Sequence, residues 1–245
     1  MGVFHFKRFD VLNERSAMKV NTDGVLLGAV TEVFPSDRYV LDVGTGTGVV
    51  ALMIAQRMAE IAGQFDILGI DIDAQSAAEA GESFASSPWN SHLQAVNMGL
   101  EEYSQEGVEG FGAPDLIVSN PPFFENSLKA PEARRNAARH TGDTLSYREI
   151  LEFASVSLAP GGRVSLILPA EVEKDLLRYA RMCGFQLWKL TRVISKVGKQ
   201  PYRIVTCFKR RDYVTCPAEE SCMVLLDEKG KRTSQYASLV TDYLL

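Results

Sequence analysis

Residues 39–51 read Tyr39-Val40-Leu41-Asp42-Val43-Gly44-Thr45-Gly46-Thr47-Gly48-Val49-Val50-Ala51. The first five form a short β-branched, apolar run of the kind that makes a strand buried on both faces. Glycines alternating with threonines then turn the chain, and Val49 to Gln56 continues as a helix. Strand, tight glycine turn and helix in immediate succession are the opening of a βαβ unit.

The same alternation extends outward from this stretch. Further strands are expected over Phe65 to Ile70, Leu93 to Val96, Asp115 to Ser119 and Arg163 to Leu168. Helices are expected over Asp73 to Phe84, Leu145 to Leu158 and Glu171 to Met182, the second closed by Pro160-Gly161-Gly162. Two strands with little helix between them follow, Phe185 to Ile194 and Arg203 to Lys209. The pattern predicts an α/β fold: a doubly wound, Rossmann-like, mostly parallel seven-stranded sheet with one antiparallel strand. A single domain over 1–245 is expected, with a short N-terminal extension over 1–35 and a C-terminal tail over 212–245. The tail reads as a hairpin around Asp227-Glu228-Lys229-Gly230 followed by an amphipathic helix ending in Tyr243-Leu244-Leu245.

Composition narrows the function classes. The 245 residues are 46% hydrophobic and 23% charged, an ordinary globular balance that needs no disulfide or metal staple. A net charge of −5 does not announce a nucleic-acid binder, so any such partner has to meet a local basic patch. Cys183, Cys207, Cys216 and Cys222 form no CxxC pair and have no histidine at ligand spacing, so reduced thiols and no metal site are expected. The N-terminus lacks a signal-peptide run, and no apolar stretch is long enough to span a bilayer. Phe6 stands where a myristoylation signal wants Ser or Thr. These features place the chain in the cytoplasm.

The glycine turn lies at the carboxyl edge of the sheet, where doubly wound folds bind ligands. It departs from the dinucleotide fingerprint because the third glycine comes one residue early and Val49 takes its place. A phosphate-binding loop is excluded by its missing lysine. Asp42 would repel a pyrophosphate but favour a cationic amino acid group; its alternative role is that of a turn residue. Asp71, at the end of the second strand, stands where a carboxylate reaches ribose hydroxyls, and Asp71 or Asp73 could cap the following helix. Asp42, Gly44, Thr45, Gly46, Gly48 and Asp71 together fit an adenosyl ligand with a cationic aminoacyl tail, which is S-adenosylmethionine.

The fourth strand ends in Ser119-Asn120-Pro121-Pro122-Phe123. Two prolines fix φ and remove two backbone donors, leaving carbonyl acceptors, and Asn120 adds a side-chain acceptor. Acceptors of this kind hold both protons of a planar –NH₂ group and draw its lone pair out of conjugation. Phe123 offers a face for a base to stack on, worth about 1–3 kcal/mol. A nitrogen that attacks neutral loses its proton afterwards, so catalysis rests on positioning and no separate base is required. Taken alone, Pro121-Pro122 could be a rigid turn and Phe123 a core aromatic; the upstream glycine loop argues for the chemical reading.

The pairing of DVGTGTG with SNPPF resembles the class I amino methyltransferases. The stretch Ala17-Met18-Lys19-Val20-Asn21-Thr22-Asp23-Gly24-Val25-Leu26-Leu27-Gly28-Ala29 is similar to the bacterial tRNA(Val) adenine-N6 methyltransferase family, and the resemblance runs along nearly the whole chain. Ser87-Pro88-Trp89 and Ala138-Arg139 fall in the expected order. The resemblance implies methylation of the adenine beside the anticodon, with residues 19–23 lying over the cofactor and Thr22 and Asp23 closing its site. From the residues alone Asp23 could equally cap a helix over Val25 to Val30. Relatives place an acidic residue near the end of the third strand to bind the cofactor's adenine; here Asn97 stands in that stretch.

A tRNA partner has to be reconciled with the acidic total. Basic residues cluster at Lys7 and Arg8, at Lys129, Arg134, Arg135 and Arg139, at Lys196, Lys199 and Arg203, and at Lys209 to Arg211. Those after the NPPF turn could grip phosphates around a splayed base; the alternative is an ordinary solvated surface. His140 reads as a packing or solvent-facing residue, since N-methylation demands no acid–base partner. No obligate protein partner is evident. Two other readings share the turn: glutamine-N5 methylation of release factors, which tends to carry Tyr and an N-terminal helical domain, and guanine-N2 methylation of ribosomal RNA.

Overall fold

The computed structural model describes residues 2–122 and 145–245. In chain order the elements are β1 (Val3–His5), β2 (Asp10–Leu12), α1 (Thr22–Val30), β3 (Tyr39–Val43), α2 (Val49–Ile61), β4 (Asp66–Asp71), α3 (Ala74–Ser86) and β5 (Leu93–Asn97). They continue with α4 (Leu100–Glu106), β6 (Leu116–Ser119), α5 (Tyr147–Ser157), β7 (Arg163–Pro169), α6 (Glu173–Met182), β8 (Phe185–Lys196), β9 (Pro201–Arg210), β10 (Glu219–Leu226) and α7 (Ser234–Val240).

The main sheet has the order β10-β8-β9-β7-β6-β3-β4-β5. Only β9 runs against the rest, pairing antiparallel with β7 and β8. The expected seven strands become eight, because β10 pairs in parallel with β8 along Glu219 to Leu226. An edge strand has no second sheet neighbour to bury it, and the first four residues of β10 are exposed, so it lacks the apolar run that betrays a central strand. The expected tail hairpin reduces to a turn at Asp227–Gly230 and one antiparallel bridge, Leu226 with Arg232.

Alternation along β3 feeds two cores. Val40 faces the core shared with α1, α2 and α3, whereas Leu41 and Val43 face the core shared with α5 and α6. The chain moves from β3 to β4 and β5 on one side, then returns to place β6 on the other side of β3. The strand order therefore reverses between β3 and β6, and a crevice opens there beyond their carboxyl ends. Ser119 closes its base: the hydroxyl donates to the Val43 carbonyl at 2.6 Å, tying the end of β6 to the end of β3.

The N-terminal hairpin does not lie over this crevice. Leu12 donates its amide to Ser83 Oγ on α3, Phe6 bridges to Leu244, and Lys7 donates its amide to the Tyr243 carbonyl. What reaches the crevice is the segment between β2 and α1.

At the opposite end of the sheet, Arg163 is almost wholly buried and donates to both oxygens of Asp37, at 2.8 and 2.5 Å, and to the Glu32 carbonyl. The ring of Phe34 lies 4.3 Å from its guanidinium carbon. Removing one partner of such a pair strands a charge in the interior. Arg163→Met is expected to lower the unfolding free energy by about 3–5 kcal/mol in urea titration, with the double variant Arg163→Met/Asp37→Leu recovering much of the loss.

Candidate active site

The glycine turn is built by exclusion of side chains. Gly44, Gly46 and Gly48 all have positive φ, at 71°, 56° and 79°. A Cβ on Gly48 would lie 2.5 Å from Phe84 Cε1 on α3, so this glycine serves helix packing and does not line the crevice. Gly69 on β4 meets the same limit from the other side, since its Cβ would fall 2.8 Å from Thr45 Oγ1.

The loop's amides point inward. Gly44 and Thr45 donate to the Ile70 carbonyl, Gly48 donates to that of Thr45, and Gly46 donates to Asp71 Oδ2 at 2.8 Å. A phosphate cradle would aim such donors at the ligand. Here the glycines supply close approach instead, and every charged residue on the wall except Lys19 is an acid.

A cavity of about 910 Å³ fills the crevice, within the range for small-molecule sites. Asp42 forms part of its floor. It is buried, and Thr45 Oγ1 donates to it at 2.8 Å. Burial pushes its carboxyl up to about 7, helped by the nearby Asp71 charge and opposed by the Thr45 hydroxyl. Asp71 is also raised, mainly by burial, while the Asp73 and Gly46 amides favour its ionised form. Asp73 caps α3 by accepting from Ser76 N and Oγ, one of the two caps the sequence offered for that helix.

On the β6 side, Asn120 and Pro122 line the cavity, and Pro121 is buried outside its wall. Asn120 Nδ2 donates to Met18 Sδ at 3.7 Å. Its Oδ1 is buried and has no hydrogen-bond partner among the described residues. A buried acceptor left open costs about 1–3 kcal/mol, which a ligand donor would recover. Phe123, Lys129, Arg134, Arg135, Arg139 and His140 lie outside the described residues.

Three other expected cofactor residues stand apart from the wall. Asn21, not Asp23, caps α1, accepting from Gly24 N at 2.9 Å, and Asn21 and Gly24 are the residues there that reach the cavity. Thr22 is exposed, and Asp23 pairs with Arg203 at 2.8 Å. Asn97 uses its amide to donate to the carbonyls of Asp71 and Ile72, shaping the loop above it. Met98, Gly99 and Leu100 form the wall in its place.

The basic clusters are partly committed to the fold. Arg203 is held by Asp23, Lys209 sits 3.7 Å over the Trp188 ring, and burial lowers its ammonium pKa. Lys7 Nζ donates to the Thr241 carbonyl, and Arg8 pairs with Glu60. Lys199 is exposed and Lys196 half-buried at the β8–β9 turn.

Sequence reading missed Met18, Ile72 and Ser76, all on the cavity wall. Ile72 is 62% exposed between two aspartates. An apolar residue just past a strand end, flanked by acids, was the available signal for apolar surface at the cavity.

Among solved structures, the fold is similar to a predicted O-methyltransferase of Agrobacterium tumefaciens, at a TM-score of 0.62, 15% identity and 90% and 96% coverage of this chain and that one. It is also similar to a putative class I S-adenosylmethionine-dependent methyltransferase of Listeria monocytogenes, at a TM-score of 0.54 and 12% identity, covering 94% of this chain and 70% of that one. The architecture is thus that of the class I methyltransferases, with the cavity at the strand-order reversal.

A family model for the methyltransferase small domain matches residues 21–175, and the chain belongs to that family. A Parabacteroides distasonis protein named tRNA1(Val) (adenine(37)-N6)-methyltransferase is 46% identical over 242 residues, covering 99% of this chain and 97% of that protein. A Haemophilus influenzae protein of the same name is 34% identical over 245 residues, covering 100% and 99%. The chain is a methyltransferase that uses S-adenosylmethionine.

The Asp42 environment carries a pH signature. A cationic ligand group favours the ionised carboxylate, so affinity is fully present above pH about 7 and lost as pH falls through it. The loss is at most about tenfold per pH unit. Calorimetric titration with S-adenosylmethionine between pH 8 and 6 is expected to show this weakening, and Asp42→Asn to flatten it.

Proposed function

We propose that the protein transfers a methyl group from S-adenosylmethionine to N6 of an adenine in tRNA, the adenine beside the anticodon of tRNA(Val). The observation that carries this reading is the buried, unpartnered Oδ1 of Asn120, a residue of the cavity wall at the start of an Asn-Pro-Pro turn. The matching name and full-length similarity of the relatives support adenine over the glutamine and guanine that the same turn would hold.

Asp42, Gly44, Thr45, Gly46 and Asp71 hold the cofactor in this reading. Asp42 faces the cationic end and Asp71 the ribose, while Ile72 and Met98 supply apolar surface. When bound, S-adenosylmethionine supplies an electrophilic methyl group on a sulfonium. Asn120 Oδ1 accepts one proton of the substrate amino group, and the donor-free carbonyls of the proline turn are available for the other. Holding both protons fixes the nitrogen and frees its lone pair for attack. The surplus proton leaves once the new N–C bond has formed, so the chain's task is orientation.

In this reading Phe123 offers the base its stacking face, and Arg134, Arg135 and Arg139 with Lys196 and Lys199 take the RNA backbone. Arg203 contributes through its pair with Asp23. No helix among the described residues is long and apolar enough to cross a membrane, in keeping with a cytoplasmic tRNA enzyme.

Methyl-labelled S-adenosylmethionine is to be incubated with the protein and, separately, with unmodified tRNA(Val), ribosomal RNA and release factor. Label in N6-methyladenosine of the tRNA is expected. Label only in guanosine or in protein would overturn the assignment. Asn120→Ala should lower the transfer rate by about 100-fold or more while cofactor affinity stays near that of the unaltered protein. An equal fall in both would refute the division of roles.

A further inference from the structure

Glu79 on α3 has no solvent exposure, and a carboxylate in that position requires partners. All of them come from one segment. Oε1 accepts from the Glu14 amide at 2.5 Å, and Oε2 accepts from Arg15 and Ser16 at 2.6 and 2.5 Å. Burial works against the ionised form, yet these amides keep the carboxyl below the ordinary glutamate value.

The segment's carbonyls are gathered on the opposite charge. Lys19 Nζ turns back to donate to the Glu14 and Ser16 carbonyls at 2.5 and 2.9 Å. Asn13 Oδ1 accepts from Val20 N at 2.8 Å and closes the ends. Residues 13–20 are therefore a strap whose backbone dipoles are pinned by a buried anion and by a cation.

That strap touches both halves of the site. Ser16 Oγ lies 3.0 Å from Ser76 Oγ and 3.7 Å from the position a Cβ on Gly46 would take. Ala17, Met18 and Lys19 line the cavity. Met18 Sδ is an acceptor only, so it meets the NH₂ edge of Asn120 and leaves Oδ1 without a partner among the described residues.

We propose that Glu79 is a positioning residue: by anchoring the strap it builds the cofactor wall, and through Met18 it orients the Asn120 amide for the substrate nitrogen. The proposal rests on reading the cavity as the methyl donor's site. No cofactor contact is assigned to Glu79 itself.

The test uses the full chain carrying Glu79→Gln, whose amide offers one acceptor oxygen to three donors. Hydrogen exchange should show amides 14–16 losing protection while those of α3 keep theirs. At a temperature where circular dichroism shows the variant folded, the Kd for S-adenosylmethionine should rise at least about tenfold, in line with losing two charge-assisted hydrogen bonds to the strap. Turnover on tRNA should fall as well. Met18→Leu, which keeps the volume but loses the acceptor, should lower kcat several-fold, by a larger factor than it raises the cofactor Kd.

A merely structural Glu79 would lower thermal stability and leave the folded variant's Kd within twofold, and that result overturns the proposal. Retained protection of amides 14–16 overturns it as well. Should Glu79→Gln fail to fold, Asn13→Ala loosens the same strap from its other tie and is judged by the same two readouts. Failure of the unaltered protein to bind S-adenosylmethionine would instead remove the reading of the cavity, and this proposal with it.

Discussion

The turn from β3 into α2 leaves no room for a side chain at Gly48. Its φ of 79° suits glycine, and a Cβ there would meet Phe84 at 2.5 Å. This contact seats α3 directly against the glycine loop, and most of the site follows from that closeness. The start of α3 brings Ser76 to the cavity wall, and one turn later Glu79 reaches the strap. The end of β4 places Asp71 where its carboxylate receives the Gly46 amide. A larger residue at Gly48 would push α3 away and disturb the loop, the acid and the strap together.

The parts of this arrangement that were legible in the sequence are those set by local periodicity. Apolar runs marked β3, β4, β6 and β7 because central parallel strands are buried on both faces. Asp71 and Asp73 could be assigned because strand-end and cap positions have fixed offsets from their elements. Edge strand β10, with a half-exposed pattern, looked like tail. Gly48 resembled a ligand-approach glycine because its neighbour Phe84 comes from a different element. Asn97 and Asp23 were misplaced for the same reason: their partners, the Ile72 carbonyl and Arg203, are known only once the chain is folded. Glu79 gave no signal at all, since a carboxylate bound by backbone amides demands no particular side chains from its partners.

Charge placement reconciles an acidic chain with a nucleic-acid substrate. Several cations from the predicted basic clusters are paired with the protein's own groups: Arg203 with Asp23, Lys209 over Trp188 and, at the surface, Arg8 with Glu60. Arg192, between Glu173 and Glu220, is likewise paired. A tRNA grip therefore falls to exposed groups outside these pairs, such as Lys199. Because backbone contacts carry much of RNA affinity, binding of that kind is strongly salt-dependent.

A buried acid, a half-buried acid and an unpartnered acceptor on the residues of the cavity wall divide the ligand problem. Asp42 and Asp71 disfavour any phosphate-bearing nucleotide and favour an adenosyl group with a cationic tail. The Gly44, Thr45, Gly46 and Gly48 amides that might have offset this are already used, three of them on the end of β4. Asn120 Oδ1 asks for a donor, and a planar amino group brings two. An acceptor aimed by a thioether on a strap, itself aimed by a buried carboxylate, makes reactivity depend on orientation rather than on proton abstraction. The same geometry explains why the turn alone cannot choose among adenine, guanine and glutamine: each presents the same two protons, and selection has to come from surfaces beyond the acceptor.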